Sequence, residues 1–457
     1  MKKFLIVLFI LCAHKMVTQN KQVLYGFAEL PQTLLLNPAS ETNYKFHVGV
    51  PLLSGISSRI STTGFVLTDV FAEDGLPIND KIAVALKNLT PKDFVTSNTQ
   101  IEVVNIGFRA TDRLYFSFGF YEELDLIGYY PKDLVTLISE GNNAYLHKNF
   151  MISQIKFYAD FSGVLHAGVS QKVNENLRLG ARFKLYSSAL NIKTNNNTGT
   201  FTTAEGTNNL YTHYFNNVNL LSRTAGLVDA ETNEYIENFG DYLGNTLFGS
   251  NLGVGLDFGV FSKISPQLEF SASILDFGFV RYKSNVKNTK VTGNFSFEGV
   301  DLLFNNDNTN YWDELNRRFR RDLPSTENQN SYITWRPTKL NAALKYRFGE
   351  KRSKICYDNS YKDFYPNAFG AQLFGVFRSL GVQLALTGFY EKAITNKVYT
   401  KFTYTIDDFS YANIGAGFSA EFGKFNMYTM LDNILSYNNL SSSNHISLHL
   451  GFNFIFN

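Results

Sequence analysis

Apolar and polar side chains alternate along much of the chain with a period of two residues, the pattern of β-strands that have two different faces. The alternation is clearest in LRLGARFKLY at 177–186, NLGVGLDFGVF at 251–261 and SLHLGFNFIFN at 447–457. In the first segment leucine, alanine and phenylalanine occupy the odd positions, and arginine, glycine, lysine and tyrosine the even ones. Such runs are about as long as the roughly 9–11 residues that a tilted strand needs to cross a bilayer.

Fourteen segments carry this pattern, and an even strand number is typical of bacterial single-chain outer-membrane barrels. The predicted strands lie at 43–62, 99–109, 113–122, 152–172, 177–190, 251–263, 267–282, 337–348, 368–378, 381–391, 398–406, 411–422, 425–432 and 445–456. A further segment, VTGNFSFEGVDLLF at 291–304, also alternates and would change the count by two if it held a strand pair.

The lengths of the connections predict the orientation of the barrel, because outer-membrane barrels have short periplasmic turns and longer outer loops. With both termini in the periplasm, the short connections fall on the periplasmic side and the long ones outside. The predicted turns are at 111–112, 174–176, 265–266 and 423–424, and the predicted outer loops are at 63–98, 123–151, 191–250 and 283–336. Two connections fit less well, because 379–380 would be a tight outer turn and 349–367 a long periplasmic connection.

A soluble β-sandwich is the alternative, since its strands also alternate. Sandwich strands usually run about 5–6 residues, and soluble domains carry about 25% charged residues, whereas this chain has 18%. Phenylalanine and tyrosine are abundant, with 42 and 26 copies, which suits an apolar outer face. We therefore predict a transmembrane antiparallel β-barrel of about 14 strands in the outer membrane. Its last strand should pair with its first, because an open edge in hydrocarbon leaves backbone groups unpaired.

The first residues predict a secretory signal peptide at 1–18. Lys2 and Lys3 precede an apolar run that is too short to cross a bilayer as a helix, and we place the cleavage near Thr18. Once this segment is removed, Cys356 is the only cysteine, so no intramolecular disulfide can form. The net charge of +2 favours neither nucleic acid nor a strongly acidic partner.

Four segments resemble a family of outer-membrane barrels from Bacteroidota that is known only as a domain of unknown function. They are GFAELPQTLLLNPA at 26–39, SILDFGFVRY at 273–282, LDNILSYNN at 431–439 and SLHLGFNFIF at 447–456. The Asn-Pro-Ala sequence is more distantly similar to long-chain fatty-acid transporter-type barrels and to type IX secretion barrels. The resemblance covers nearly the whole chain after the signal peptide, and it implies a fold and a compartment but no catalytic residues and no established substrate. The chain ends on Asn457, whereas such barrels often end on the aromatic residue itself.

Charged residues at the polar positions of the strands are predicted to face the lumen. These lumen-facing candidates are Arg178, Arg182, Lys184, Lys345, Arg347, Asp257, Glu269 and Glu421. The carboxylates could pair with the cations in a polar network that fills a closed barrel. The alternative is a binding or permeation path with a cationic side.

The segment 19–42, which precedes the first strand, is predicted to form a hatch at the periplasmic mouth of the barrel. Its residues 25–40 contain three consecutive leucines between two prolines, so they are poorly suited to a strand and need an apolar partner. A similar segment enters the lumen in fatty-acid transporter-type barrels. The predicted hatch residues are Leu34, Leu35, Leu36, Asn37 and Pro38. A flexible periplasmic tether is the alternative.

Two loop segments predict helices. YWDELNRRFRRDL at 311–323 has an apolar stripe and a surface basic cluster, and PKDLVTLISEGN at 131–142 has a proline near its start and a glycine near its end. The basic cluster consists of Arg317, Arg318, Arg320 and Arg321. Anionic lipopolysaccharide or a partner protein could bind these arginines, and a solvated charged face is the equal alternative.

No zinc-protease, phosphate-loop or nucleophile-elbow motif is present in the sequence. His445 and His449 would lie roughly 13 Å apart on one strand, too far to share a metal ion. Ser447 lies between them on the same face, about 6.6 Å from each along the strand, so the spacing predicts no nucleophile–base pair. We therefore predict no enzyme activity, no metal and no cofactor.

Two function classes stay open at this point. One is passage of a small apolar molecule across the outer membrane, and the other is a structural or partner subunit of an envelope complex such as a secretion or surface assembly. The expected partners are outer-membrane lipid and lipopolysaccharide, a small apolar ligand or an envelope protein, and no nucleic acid.

Overall fold

The computed structural model describes residues 21–27, 30–194, 196–206, 211–298, 317, 320–349, 365–407, 409 and 413–456. The predicted signal peptide lies outside these residues, and so do Cys356, Arg318 and most of the predicted helix at 311–323. The description below refers to this part of the chain.

Twenty-one strands, numbered in chain order, form one antiparallel sheet. The wall of the barrel consists of β1 (Phe46–Gly49), β2 (Ile56–Thr62), β3 (Phe94–Thr111), β4 (Leu114–Tyr129), β6 (Phe157–Lys172), β7 (Leu177–Thr194), β10 (Leu252–Lys263), β11 (Leu268–Tyr282), β14 (Tyr332–Trp335), β15 (Thr338–Phe348), β16 (Asn367–Arg378), β17 (Gly381–Thr395), β18 (Val398–Ile406), β19 (Asn413–Phe422), β20 (Phe425–Asp432) and β21 (His445–Phe456). The remaining strands, outside the wall, are β5 (Phe150–Met151), β8 (Thr198–Glu205), β9 (Tyr211–Ala225), β12 (Val286–Glu298) and β13 (Ser325–Asn328).

The wall closes because the last strand pairs with the first. In β21, Phe456 lies opposite Phe46 of β1, and Leu450 lies opposite Ile56 of β2. The short strands β1 and β2 both pair with β21 on one side and with β3 on the other. Together they therefore count as one strand of the wall. In the same way β14 and β15 both pair with β11. The predicted transmembrane antiparallel barrel is confirmed, with all fourteen predicted strand positions in the closed wall.

The two ends of the barrel differ. At the turn end, where the chain enters β1 and leaves β21, short connections join β3 to β4, β6 to β7, β10 to β11, β17 to β18 and β19 to β20. The opposite end, the loop end, carries the tight turn at 379–380 and the long connections except the one between β15 and β16, which joins these strands at the turn end as expected for 349–367. Several predicted loops are partly strand: β3 begins at Phe94 and β4 continues to Tyr129. In the β3 extension, polar residues on both faces conceal the alternation, whereas in the β4 extension Leu124 and Leu126 alternate with Glu123 and Asp125 and continue the pattern beyond the predicted end.

Beyond the loop end, β5, β8, β9, β12 and β13 form an extension of the wall. It begins where β9 pairs with the end of β7 and continues from β9 to β8 and β12. Val218, Phe295 and Leu323 form a buried apolar cluster between these strands. The segments 191–250 and 283–336, predicted as loops, therefore contain strands. The alternation at 291–304 falls partly in β12, which ends at Glu298 and pairs with β9 and β13, and residues 299–304 lie outside the described residues.

The outward face of the wall is apolar. Phe183 is 46% exposed, whereas the adjacent Arg182 is 1% exposed, as the alternation predicts. Aromatic pairs mark both borders of this surface, with Phe46 and Phe456 at the turn end and Phe279 and Trp335 at the loop end. An apolar band between aromatic girdles is typical of transmembrane barrels.

The helices are short. They are α1 (Thr33–Leu36), α2 (Leu67–Phe71), α3 (Ile78–Asn88), α4 (Lys132–Glu140) and α5 (Phe239–Thr246). The fourth lies in the segment predicted from its flanking Pro131 and Gly141. Among the described residues no helix is long and apolar enough to cross a membrane. From the basic cluster, Arg317, Arg320 and Arg321 are exposed.

Candidate functional site

The N-terminal segment lies inside the barrel. Residues 21–27 and 30–44 run along the inner wall without joining the strand ladder. Leu24, Phe27 and Leu30 are each 1% exposed and pack with inward side chains of the wall, including Tyr428. The residues predicted as a hatch are in this segment: Leu34, Leu36, Asn37 and Pro38 are buried, and Leu35 is partly buried.

Two wall glycines accommodate the Asn-Pro-Ala sequence. Gly180 of β7 and Gly259 of β10 are opposite each other in the register, so neither strand has a side chain at this point. A Cβ atom on Gly180 would overlap the backbone of Pro38, and one on Gly259 would overlap the side-chain oxygen of Asn37. Asn37 donates from Nδ2 to the Val260 carbonyl at 3.2 Å. The paired glycines therefore allow the segment to lie directly on the wall.

Wall side chains donate hydrogen bonds to the backbone of the segment. Arg182 donates to the carbonyls of Leu34 and Leu35, the latter at 3.2 Å. These carbonyls lie in α1, whose last turn leaves carbonyl groups without intrahelical partners. Further contacts have the same form: Ser273 donates to Leu36 at 2.6 Å, Lys345 to Gly26 at 2.6 Å and Lys401 to Tyr25 at 2.8 Å.

One side chain of the segment also pairs with the closing strand. Gln32 donates to Asn453 of β21 at 2.9 Å and accepts from it at 3.0 Å. Its amide also donates to Glu102 of β3 at 3.1 Å. All three side chains are buried, so these bonds connect the segment to both strands that flank β1.

Next to the segment, buried charges of alternating sign form a chain across the lumen. The consecutive ion pairs are Arg182–Asp257 at 3.1 Å, Asp257–Lys184 at 2.9 Å, Lys184–Asp276 at 2.6 Å, Asp276–Lys339 at 2.9 Å, Lys339–Glu123 at 3.1 Å, Glu123–Arg336 at 2.6 Å and Arg336–Asp160 at 2.5 Å. Four cations and four anions balance one another. Removal of one member of a buried pair typically costs about 3–5 kcal/mol, because its partner stays buried as an unpaired charge.

Of the predicted lumen residues, Arg182, Lys184 and Asp257 belong to this charge chain. The others are elsewhere on inward positions: Arg178 is buried in β7, Lys345 pairs with Glu391 at 2.7 Å, Arg347 pairs with Glu269 at 2.7 Å, and Glu421 is partly buried. The other five members of the charge chain, Glu123, Asp160, Asp276, Arg336 and Lys339, were not among the residues predicted from the sequence. Asp276 lies at an irregularity in the β10–β11 register and has a φ of 58°, which interrupts the alternation there.

The inward histidines take part in hydrogen bonds within the wall. His445 Nδ1 is 2.6 Å from the hydroxyl of Ser61, and His449 Nε2 is 3.0 Å from that of Tyr428. Ser447 donates to Asp432 at 2.6 Å. Among the described residues no group of three potential ligands is placed to hold a metal ion.

Two cavities lie at opposite ends of the lumen. The turn-end cavity, about 120 Å³, lies between the N-terminal segment and the wall, and both aromatic and charged side chains line it, among them Tyr25, Phe27, Phe389, Lys345, Arg347 and Glu391. The loop-end cavity, about 350 Å³, lies over the tight turn between β16 and β17. Both inward and outward side chains line it: Ile127, Tyr158, Arg336 and Arg378 from the lumen side, and Ile333, Trp335 and Phe377 from the outer face.

The tight turn at 379–380 narrows the loop end of the barrel. Its Leu380 packs against a buried cluster that contains Phe94, Ile127 and Tyr158. Its carbonyl accepts a hydrogen bond from the Tyr129 hydroxyl at 2.9 Å, across from β4. The short hairpin, which fitted the predicted orientation poorly, thus folds over the lumen.

Several solved barrels are similar to the chain at low sequence identity. The toluene transporter TbuX of Ralstonia pickettii is 11% identical, with 97% of each chain covered and a TM-score of 0.42. A FadL homologue of Pseudomonas aeruginosa is 10% identical over 97% of this chain and 100% of that one, also with a TM-score of 0.42. The toluene transporter TodX of Pseudomonas putida is 11% identical over 93% and 92%, with a TM-score of 0.37.

No curated protein sequence is significantly similar to the chain. A family model, however, matches residues 38–432, which include most of the barrel wall. This confirms the expected relation to a family without an assigned role. The chain belongs to the family of unknown function DUF5723.

Proposed function

We propose that the protein is an outer-membrane channel for a small apolar molecule and that its own N-terminal segment closes the lumen. The observation that carries this proposal is the construction of the closure. The segment fills the barrel but contributes no strand, and several wall side chains bind its backbone. Its displacement would therefore leave the closed strand ladder intact.

The location of the channel follows from its outer surface. The apolar outward face and the aromatic residues at both borders suit a bilayer. The resemblance to barrels from Bacteroidota supports an outer membrane, and the short connections support a periplasmic turn end with both termini there. The hatch would then close the periplasmic mouth.

The proposed cargo follows from the loop-end cavity and the charge chain. Ile333, Trp335 and Phe377 line the outer side of this cavity, which opens to the outer face over the β16–β17 turn. Arg336 and Arg378 lie on its lumen side, where both are paired with buried carboxylates. The four cations and four anions of the charge chain neutralise one another, and this balance favours the passage of an uncharged molecule over that of an ion. The similar solved barrels include toluene transporters and a monoaromatic hydrocarbon channel, and toluene is a molecule of this class. No catalytic role is part of the proposal.

Conductance in planar bilayers tests the closure. We expect deletion of residues 22–38 to raise the conductance of the purified, reconstituted protein, because the segment occupies the lumen. The matched control is an equally long deletion, 67–83, which removes α2 and part of α3 outside the wall and should leave the conductance low. Equal conductance of the two deletions would contradict the proposal.

A scaffold role in an envelope complex is the second candidate. The extension formed by β8, β9, β12 and β13 supports it, because this sheet has its own buried cluster beyond the barrel. A barrel that stays closed after deletion of residues 22–38 would favour this role.

A further inference from the structure

A short segment at the loop end folds back along the outer face of the wall. We call residues 239–249, which contain α5, the strap. The strap is fixed by Ser187 of β7, whose hydroxyl donates to the Asn245 carbonyl at 2.7 Å and accepts from the Gly249 amide at 2.7 Å. Thr246 donates from its hydroxyl to Glu122 of β4 at 3.0 Å. The strap therefore spans β4, β6 and β7 on their outward side.

A glycine lets the strap lie directly on the wall. A Cβ atom on Gly163 of β6 would overlap the carbonyl oxygen of Thr246. After this contact the chain turns away at Phe248, which has a φ of 64°, in the left-handed region that few residues other than glycine adopt. The turn holds the Phe248 ring away from the wall, and the ring is 71% exposed.

The space between the strap and the wall is an apolar groove of about 330 Å³. Its side chains come from the outward face of five wall strands, β4, β6, β7, β10 and β11, and from the strap. They include Phe120, Leu165, Leu185, Val254, Phe279 and Phe248. The same outward face continues into the apolar surface of the barrel, so the groove opens onto the surface that contacts lipid chains.

A cation lies at the loop end of the groove. In the β10–β11 register, Val280 lies opposite Gly253. The next residue of β11, Arg281, is therefore beside Leu252, which lines the loop end of the groove. Arg281 is exposed on the outward face. Trp335 lies opposite Phe279, and its exposed ring marks the level of the lipid head groups, where aromatic residues are enriched. The arginine is thus at the depth of a lipid phosphate.

We propose that this groove binds one acyl chain of an anionic membrane lipid, with the lipid phosphate next to Arg281. An acyl chain is the occupant that already surrounds the outward face, and an apolar groove with a cation at its head-group end complements such a lipid. The proposal does not depend on permeation, because the groove lies outside the lumen.

Native mass spectrometry of the detergent-solubilised protein tests the proposal. After incubation with phosphatidylglycerol or phosphatidylcholine of the same chain length, we expect about fivefold more retained phosphatidylglycerol, the effect of one cation near an anionic head group. We expect Arg281→Gln to remove this preference while some lipid of both kinds stays bound. Equal retention of the two lipids by the unsubstituted protein would overturn the assignment.

Two substitutions test the groove itself. Val254→Trp should fill it and abolish retention, whereas Leu373→Trp, at an outward position of β16 that is 48% exposed, should retain lipid normally. If Val254→Trp does not fold, Phe248→Ala, which opens one side of the groove, should lower retention instead. If all variants retain the same amount of lipid, the groove is not the lipid-binding site.

Further measurements distinguish other occupants. If free palmitate is retained as strongly as phosphatidylglycerol, the acyl chain in the groove belongs to a soluble fatty acid. This result would overturn the proposal that a membrane lipid supplies it. A dimer mass that Val254→Trp removes would assign the groove to a second copy of this chain, and it would likewise overturn the proposal.

Discussion

Arg182→Met should loosen the N-terminal segment without opening the wall. The guanidinium donates to the carbonyls of Leu34 and Leu35, and a hydrogen bond from a charged donor contributes about 1.5–3 kcal/mol. Loss of both bonds therefore destabilises the docked segment, relative to the undocked one, by at least about 3 kcal/mol. Because 1.4 kcal/mol is a factor of ten, the population of the undocked segment should rise about 100-fold or more.

Thiol labelling measures this population. Leu36 is 9% exposed, so a cysteine introduced there, with Cys356 replaced by serine, should react only when the segment leaves the wall. If reclosing is fast relative to labelling, the labelling rate reports the undocking equilibrium directly. We expect Arg182→Met to raise this rate about 100-fold.

Lys184→Met is the matched control. Lys184 is the next inward cation of β7 and also pairs with Asp257, at 2.9 Å, but its hydrogen bond at 2.6 Å goes to Asp276 rather than to the segment. Both variants therefore break the charge chain, and only one removes contacts with the segment. Equal acceleration in the two variants would refute the reasoning, as would no acceleration in either.

Three further predictions concern the wall and the extension. Phe183→Arg should destabilise the barrel in lipid by about 2–4 kcal/mol, measured by urea unfolding against Phe183→Leu, because the outward cation is placed in hydrocarbon. Gly180→Val should displace the segment and raise conductance, whereas Gly388→Val, whose added Cβ atom would meet only a carbonyl at 4.0 Å, should not. In the extension, burial lowers the pKa of His213, so its stabilising effect is present above its ordinary pKa of about 6.5 and is lost as the pH falls below that value. Hydrogen exchange in β8 and β9 should therefore accelerate between pH 7.5 and 5, and His213→Phe should reduce this change.

The sequence predicted the wall strands well, because a transmembrane barrel imposes a strict alternation of lipid-facing and lumen-facing residues. Arg182 and Phe183 are adjacent and face opposite environments, so their chemistry alone reveals the pattern. The same rule gives a weaker signal where strands leave the membrane, since β8 and β12 have no lipid to keep their outer faces apolar. Of these two strands, only β12 was indicated by its alternation, and the segment 191–250 was predicted as a loop without strands.

The candidate site could be predicted only in part. Alternation identifies which residues point inward, but it does not show which of them meet across the lumen. Asp257 and Arg182 were recognised as inward charges, whereas Glu123, Arg336 and Asp160 were not, although they continue the same charge chain. The residues that form each of these ion pairs are far apart in the sequence, and only the closed barrel brings their side chains together. The opposed glycines at 180 and 259 were likewise invisible without the strand register.

The direct connection between the N-terminal segment and β1 makes this segment a tethered ligand of its own barrel. Only residues 39–45 separate Pro38 from the start of β1 at Phe46, so an undocked segment stays close to its binding surface. Short tethers of this kind give effective concentrations in the millimolar range. Redocking is then intramolecular and independent of protein concentration. A separate peptide of the same sequence would have to reach comparable millimolar concentrations to compete with it.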